Sequence, residues 1–152
     1  MHFEGTVTIR APREQVWRFL IDPQAVSRCA PGLESMEILV PDRKFRAVTS
    51  VGFGAIKARF ESEAEWVELD PPNRAKMKVH GTAPGSAVDA TSEMALSDQA
   101  EGTTEMRWSA EVTIVGAIAS LAARLMGGVT QRLTAAFFDC VKQQIEKRGQ
   151  VI

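Results

Sequence analysis

Between Leu33 and Val115 the chain alternates, segment after segment, between side chains that avoid water and side chains that carry charge. A period of two puts successive residues on opposite faces of a β-strand, so this alternation sorts the segment into two faces. One phase collects Met36, Ile38, Phe45, Ala47, Thr49, Val51, Phe53, Ile56, Ala58, Phe60, Ser62, Ala64 and Trp66, then Met77, Val79, Gly81, Val88, Ala90, Ser92, Met94, Leu96, Met106, Trp108, Ala110, Val112 and Ile114. None of these is charged. The other phase holds Lys44, Arg46, Lys57, Arg59, Glu61, Glu63, Glu65, Lys76, Lys78, His80, Asp89, Glu93, Glu105, Arg107 and Glu111. A register slip of one residue would turn every side chain over, so the pattern specifies one phase. Turn signals at PDRK, GFGA, DPPNR, GTAPGSA and DQAEGT cut the segment into six strands, the spacing of an antiparallel meander.

Ahead of these, HFEGTVTIRAP alternates with Phe3, Val7 and Ile9 inward and predicts a first strand. Pro12 opens REQVWRFLI, where Val16, Trp17 and Leu20 fall at helical spacing, and DPQAVSRCAPG predicts a second short helix capped by Asp22 and closed by Pro31 and Gly32. After the last strand, the run VTIVGAIASLAARLMGG carries no charge until Arg124. A membrane-spanning helix needs about 20 apolar residues. Gly116 instead divides this run into a strand end and a helix start. From Gly116 to Arg148, the residues Ile118, Leu121, Ala122, Leu125, Val129, Leu133, Ala136, Phe137, Cys140, Val141 and Ile145 form one stripe. They predict a single long amphipathic helix with a weak point at Gly127 and Gly128. The fold class is α+β: a seven-stranded curved antiparallel sheet around a long C-terminal helix, with two short helices between strands 1 and 2. This makes one helix-grip domain over residues 1–152, since the helix stripe must be buried against the concave side of the sheet.

Function classes narrow by charge and by missing chemistry. Eighteen Lys and Arg against 19 Asp and Glu leave a net charge of -1, which argues against nucleic acid as a partner. The N-terminus MHFEGTVTIR has no basic region followed by an apolar one, so a cytoplasmic protein is expected. Cys29 and Cys140 stand far apart without a CxxC or Cys/His cluster and read as separate structural cysteines, with neither a disulfide framework nor a zinc site. General acid–base catalysis needs a titratable group within reach of a sheltered substrate. The uncharged phase offers none, His2 sits at the chain start, and His80 falls on the solvent-facing phase. The residues therefore predict a protein that is not an enzyme and takes no cofactor or metal.

Two readings compete for the uncharged face, an ordinary packed core and a cavity. The second draws on Ala47, Ala58, Ala64, Gly81, Ala90, Ser92 and Ala110, small residues set among large ones on a strongly curved sheet. Cavities lined by aromatic and aliphatic side chains with a few hydroxyls suit apolar ligands. The candidate lining is Trp17, Met36, Phe45, Phe53, Phe60, Met77, Val79, Met94, Met106, Trp108, Val112, Ile118, Leu121 and Leu125, with a mouth expected near Cys29 to Gly32 and the GFGA hairpin tip.

The run of EGTVTIRAPREQVW, LIDPQAV, CAPG, GFGAIKARF, APGSAVDATSEMAL and GTTEMRWSAEVTIVGAIASLAARLM resembles the carbon monoxide dehydrogenase G-subunit family, part of the START/birch-pollen-allergen-like (SRPBCC) superfamily. The resemblance covers nearly the whole chain. Two positions depart from the family pattern: Ala30 where an aliphatic residue usually precedes Pro-Gly, and Ala55 where the hairpin often has proline. The resemblance implies a non-catalytic accessory protein of a molybdenum hydroxylase complex, which carries a lipid-like or quinone-like molecule or recruits the enzyme to the inner face of the membrane. It implies peripheral membrane contact. Some members carry an apolar C-terminal extension as an anchor, whereas EKRGQVI follows the helix here. Two alternatives stay open: a docking or assembly module without ligand, and a polyketide cyclase-like enzyme, which would need an inward ionisable group.

Overall fold

The computed structural model describes residues 1–99 and 101–150, with side chains through Glu146. In chain order the elements are β1 (His2–Ile9), α1 (Arg13–Ile21), α2 (Pro23–Ser27), β2 (Leu33–Val40), β3 (Lys44–Phe53), β4 (Ile56–Asp70), β5 (Arg74–Ala83), β6 (Ser86–Gln99), β7 (Thr103–Gly116) and α3 (Ala119–Gln150). All seven strands join one antiparallel sheet in the order β1-β7-β6-β5-β4-β3-β2. Ala100, and Val151 and Ile152 of the closing EKRGQVI, lie outside the described residues.

Register carries the uncharged phase unbroken across the sheet. Ala47 pairs with Ser62, Ser62 with Gly81, Gly81 with Val88 and Val88 with Ile114. The next row runs from Phe45 through Ala64, Val79 and Ala90 to Val112. Directly paired residues share a face. On the opposite, convex face the charges meet across strands, with Lys44 3.5 Å from Glu63, Arg46 3.3 Å from Glu61 and Lys76 3.5 Å from Glu93. Exposed pairs of this kind are each worth under about 1 kcal/mol. Two residues of the uncharged phase remain open to solvent. Ile38 pairs with Phe45 and Ile56 with Phe53, yet they are 39 % and 51 % exposed, because β2 is an edge strand and Ile56 follows the hairpin tip.

Two apolar clusters hold the helices down. In the first, Val16, Trp17, Phe19 and Leu20 of α1 meet Val141 and Ile145 of α3 over Ile9, Ala75, Met94, Leu96 and Met106. The second joins Ala122 and Val129 of α3 to Phe53, Ala58 and Phe60. Each large side chain buried in them contributes about 1.5–3 kcal/mol. Asp22 caps α2, its carboxylate accepting from the Gln24 backbone N–H at 3.0 Å, and Pro23 takes the first helical position.

The long helix differs from the sequence expectation at its start. Gly116 closes β7 with φ +99°, and a Cβ there would lie 2.1 Å from the Gly85 carbonyl oxygen, so only glycine lets β7 pass the β5–β6 turn. The Ile118 backbone N–H donates to the Ser86 hydroxyl at 3.2 Å, and α3 proper begins at Ala119. The helix runs through Gly127 and Gly128 without a break. Both lie on its exposed side, where an added Cβ would meet nothing within 4 Å. Ala136 is also exposed, off the buried stripe.

A larger correction concerns the cysteines. Cys29, just after α2, and Cys140 of α3 form a disulfide, with Cα atoms 5.4 Å apart across 111 residues. Their separation hides the pairing, because only the docking of α2 onto the far half of α3 brings them together. Reduction, or a Cys140→Ala change, is expected to lower unfolding free energy by about 2–4 kcal/mol; denaturant titration with and without reductant measures this. Gly127→Ala is expected to raise stability by up to about 1 kcal/mol, read as a higher Tm.

Candidate functional site: an apolar cavity under the helix

α3 packs chiefly against β1, β3 and β7, toward the two sides of the sheet. Over the strands between, the inward side chains include Ser62, Ala64, Gly81, Ala90 and Ser92, which are too small to reach it. A helix held off by its flanks leaves space over the middle. One cavity of about 270 Å³ occupies part of that space. Its floor is Ala75 and Met77 of β5 with Ser92 and Met94 of β6; Met106 and Trp108 of β7 form one wall, and Phe45 and Trp66 the other. Phe137 of α3 lies over it, and Leu20, Ile21, Pro23 and Val26 of α1 and α2 form its lip.

The lining is nearly all carbon. Glu93 touches the cavity, but its carboxylate lies 3.5 Å from Lys76 on the convex face. Trp108 is set by an unusual neighbour: Gly5 pairs with it, and a Cβ on Gly5 would lie 2.8 Å from the indole Nε1. The indole can therefore lie against β1 rather than fill the cavity. Its ring centroid is 6.3 Å from that of Phe138, which meets Phe137 edge-on at 5.2 Å.

Of the sequence-derived candidates, Phe45, Met77, Met94, Met106 and Trp108 line this cavity. Trp17 is buried in the first cluster beneath α1. Phe53 and Phe60 belong to the second cluster, with Ile118, Leu121 and Leu125 packed against it. Val79 and Val112 occupy the row next to the cavity, and Met36 is half-buried near the sheet edge, paired with Ala47. The GFGA tip is remote. Gly54 packs on Leu125, and Phe53 stands eight residues along β3 from Phe45, about 26 Å at strand rise.

Sequence reasoning missed the lip, because nothing in a one-dimensional pattern says where a short helix lands. Trp66 and Ser92 were legible as inward, and Phe137 as part of the helix stripe; only their convergence was hidden. Ala75 is buried at 3 % and, two residues before Met77 on β5, shares its inward face.

Electrostatics act elsewhere. The Ser50 hydroxyl, and then Arg59, hold the Glu34 carboxyl below the usual carboxylate range, and Glu111 raises His2 above the ordinary histidine value. Glu34, bonded to Ser50 and Arg59, lies on the convex face, and His2 is exposed at the β1 edge. Among the described residues no group of three or more His, Cys, Asp or Glu is placed to hold a metal, and no helix is long and apolar enough to cross a membrane.

A curved antiparallel meander gripping a terminal helix over an apolar cavity defines the helix-grip class. Within it, the chain belongs to the CoxG family, that of the carbon monoxide dehydrogenase G-subunit, whose model matches residues 5–146. Among solved structures it is similar to a conserved protein from Geobacillus kaustophilus, with TM-score 0.89 and 26% identity over 97% of this chain and 96% of that one. It also resembles the Zhui aromatase/cyclase from Streptomyces sp. R1128, with TM-score 0.77 and 21% identity over 99% and 96% of the two chains. Truncated norcoclaurine synthase from Thalictrum flavum shares the fold at TM-score 0.66 and 12% identity over 95% and 92%. No curated protein sequence matches the chain.

Gly5→Ala is expected to push the Trp108 indole from β1 toward the cavity and to cost about 1–3 kcal/mol of stability. Thermal unfolding and near-ultraviolet circular dichroism measure both effects.

Proposed function

We propose that this protein is a non-catalytic binding or carrier protein for an apolar small molecule, lipid-like or quinone-like, serving a carbon monoxide dehydrogenase-type molybdenum hydroxylase. The observation that carries the reading is the cavity of about 270 Å³, with an aromatic and aliphatic lining and its one bordering carboxylate, Glu93, directed away to Lys76. Its size lies just under the usual ligand-site range of about 300–1,000 Å³. It suits a ring or a compact head, and a long chain attached to one would have to leave past the lip. Membership of the CoxG family supplies the link to the hydroxylase.

A cyclase reading draws on the likeness to the Zhui aromatase/cyclase, which at 21% identity extends to the fold. It would need an ionisable group beside the substrate, and the carboxylate at this cavity's border, Glu93, is directed to Lys76. Peripheral contact with the inner face of the membrane fits delivery of an apolar cargo. The cytoplasmic expectation and the Cys29–Cys140 bond pull against each other, since disulfides are rare in reducing compartments.

Solvent extraction of protein purified from its native host, followed by mass spectrometry, is expected to release one apolar compound. The Met77→Trp variant, which fills the floor of the cavity, should carry several-fold less of it. Repeatedly empty extracts from the unaltered protein, with stable co-purification of the hydroxylase, would instead favour the docking module of the same family.

A further inference from the structure

We infer that Ser92 is a specificity-determining residue of the cavity, and that the ligand it selects is a flat ring system bearing a polar oxygen that hydrogen-bonds the Ser92 hydroxyl. This rests on the cavity being a ligand site. Ser92 belongs to the inward row that runs from Trp66 through Met77 to Ala110, so its hydroxyl stands on the floor between a flexible thioether and a methyl group. Among the described residues no protein group hydrogen-bonds it. Two buried hydroxyls behave differently: Thr104 donates to the Ala11 carbonyl at 2.7 Å, and Ser86 accepts from the Ile118 N–H at 3.2 Å. Those two fasten secondary-structure elements, whereas Ser92 fastens nothing. Thr49 and Ser62 also point inward without a protein partner, but neither lines the cavity. Ser109 borders the cavity too, but it pairs with Glu4 and Glu93 and so belongs to the outward, charged phase.

An unbonded hydroxyl on a carbon wall has a consequence for selectivity. Where the cavity opens to solvent, water can reach and satisfy it. A purely apolar ligand expels that water and leaves the hydroxyl orphaned, which costs free energy. A ligand that places a hydroxyl or carbonyl oxygen there restores the bond, so the site discriminates by a lost interaction rather than by size. The ring itself is recognised by the faces and edges of Phe45, Trp66, Trp108 and Phe137.

The test compares two probes of nearly equal shape, 1-naphthol and 1-methylnaphthalene, by titration calorimetry on the full chain, and repeats it with Ser92→Ala and Ser92→Thr. The unaltered protein should prefer 1-naphthol. Ser92→Ala should weaken 1-naphthol about 2- to 10-fold, the worth of one hydrogen bond, and leave 1-methylnaphthalene nearly unchanged. Ser92→Thr, which keeps the hydroxyl, should restore the preference. Equal loss for both probes in Ser92→Ala, or no loss for either, overturns the role of Ser92 while the cavity reading stands. Failure of the unaltered protein to bind either probe overturns both, and unchanged Tm in the variants shows that folding is not the cause.

Discussion

The helix is supported at the flanks of the sheet and unsupported over its middle, and most of the molecule's character follows from that. Phe53 and Phe60 prop the first half of α3, and Met94, Met106 and the side chains of α1 meet its second half. The rows through Ser62, Ala64, Gly81, Ala90 and Ser92 cannot reach across. Protein interiors pack densely wherever side chains can interdigitate. A void persists here because the curvature of the sheet sets the gap and Ala75 and Ser92 on its floor are too small to fill it. Gly5 widens the space by letting Trp108 lie back against β1.

The same geometry sets the cavity against the first apolar cluster, which shares Leu20, Ala75, Met94 and Met106 with its lining. The apolar clusters and the Cys29–Cys140 bond hold α1, α2 and α3 together around the cavity rather than through it. The disulfide joins the segment after α2, which carries the lip residues Pro23 and Val26, to the helix that carries Phe137. Contacts that fix the fold thus also fix the cavity's rim. On the convex side the exposed ion pairs add little energy. They do keep charge on the outer phase, so that strand register has one favourable answer.

The carrier role proposed above draws on family membership and on the apolar lining of the cavity. Solved relatives at 21% identity and below share the architecture alone, since one helix-grip scaffold can host many unrelated chemistries. What differs among such proteins is the handful of side chains at the floor and lip. In this chain those are methionines, aromatic rings, the aliphatic side chains of the lip and the Ser92 hydroxyl on the floor.

By itself, the sequence determined the element order, the phase of every strand and, Ala136 apart, the buried stripe of the long helix, because period two and period 3.6 are local properties that survive without coordinates. Inward placement of Phe45, Met77, Met94, Met106 and Trp108 was therefore legible. Tertiary structure alone decided which of the inward residues surround a void. It sent Phe53, Phe60 and Leu125 to a packed cluster at the far end and brought Leu20, Pro23 and Val26 to the lip. It also joined two cysteines 111 residues apart. Each of these depends on how far α1, α2 and α3 stand from the curved sheet, a distance set by the sum of many side-chain volumes and by no single stretch of the chain.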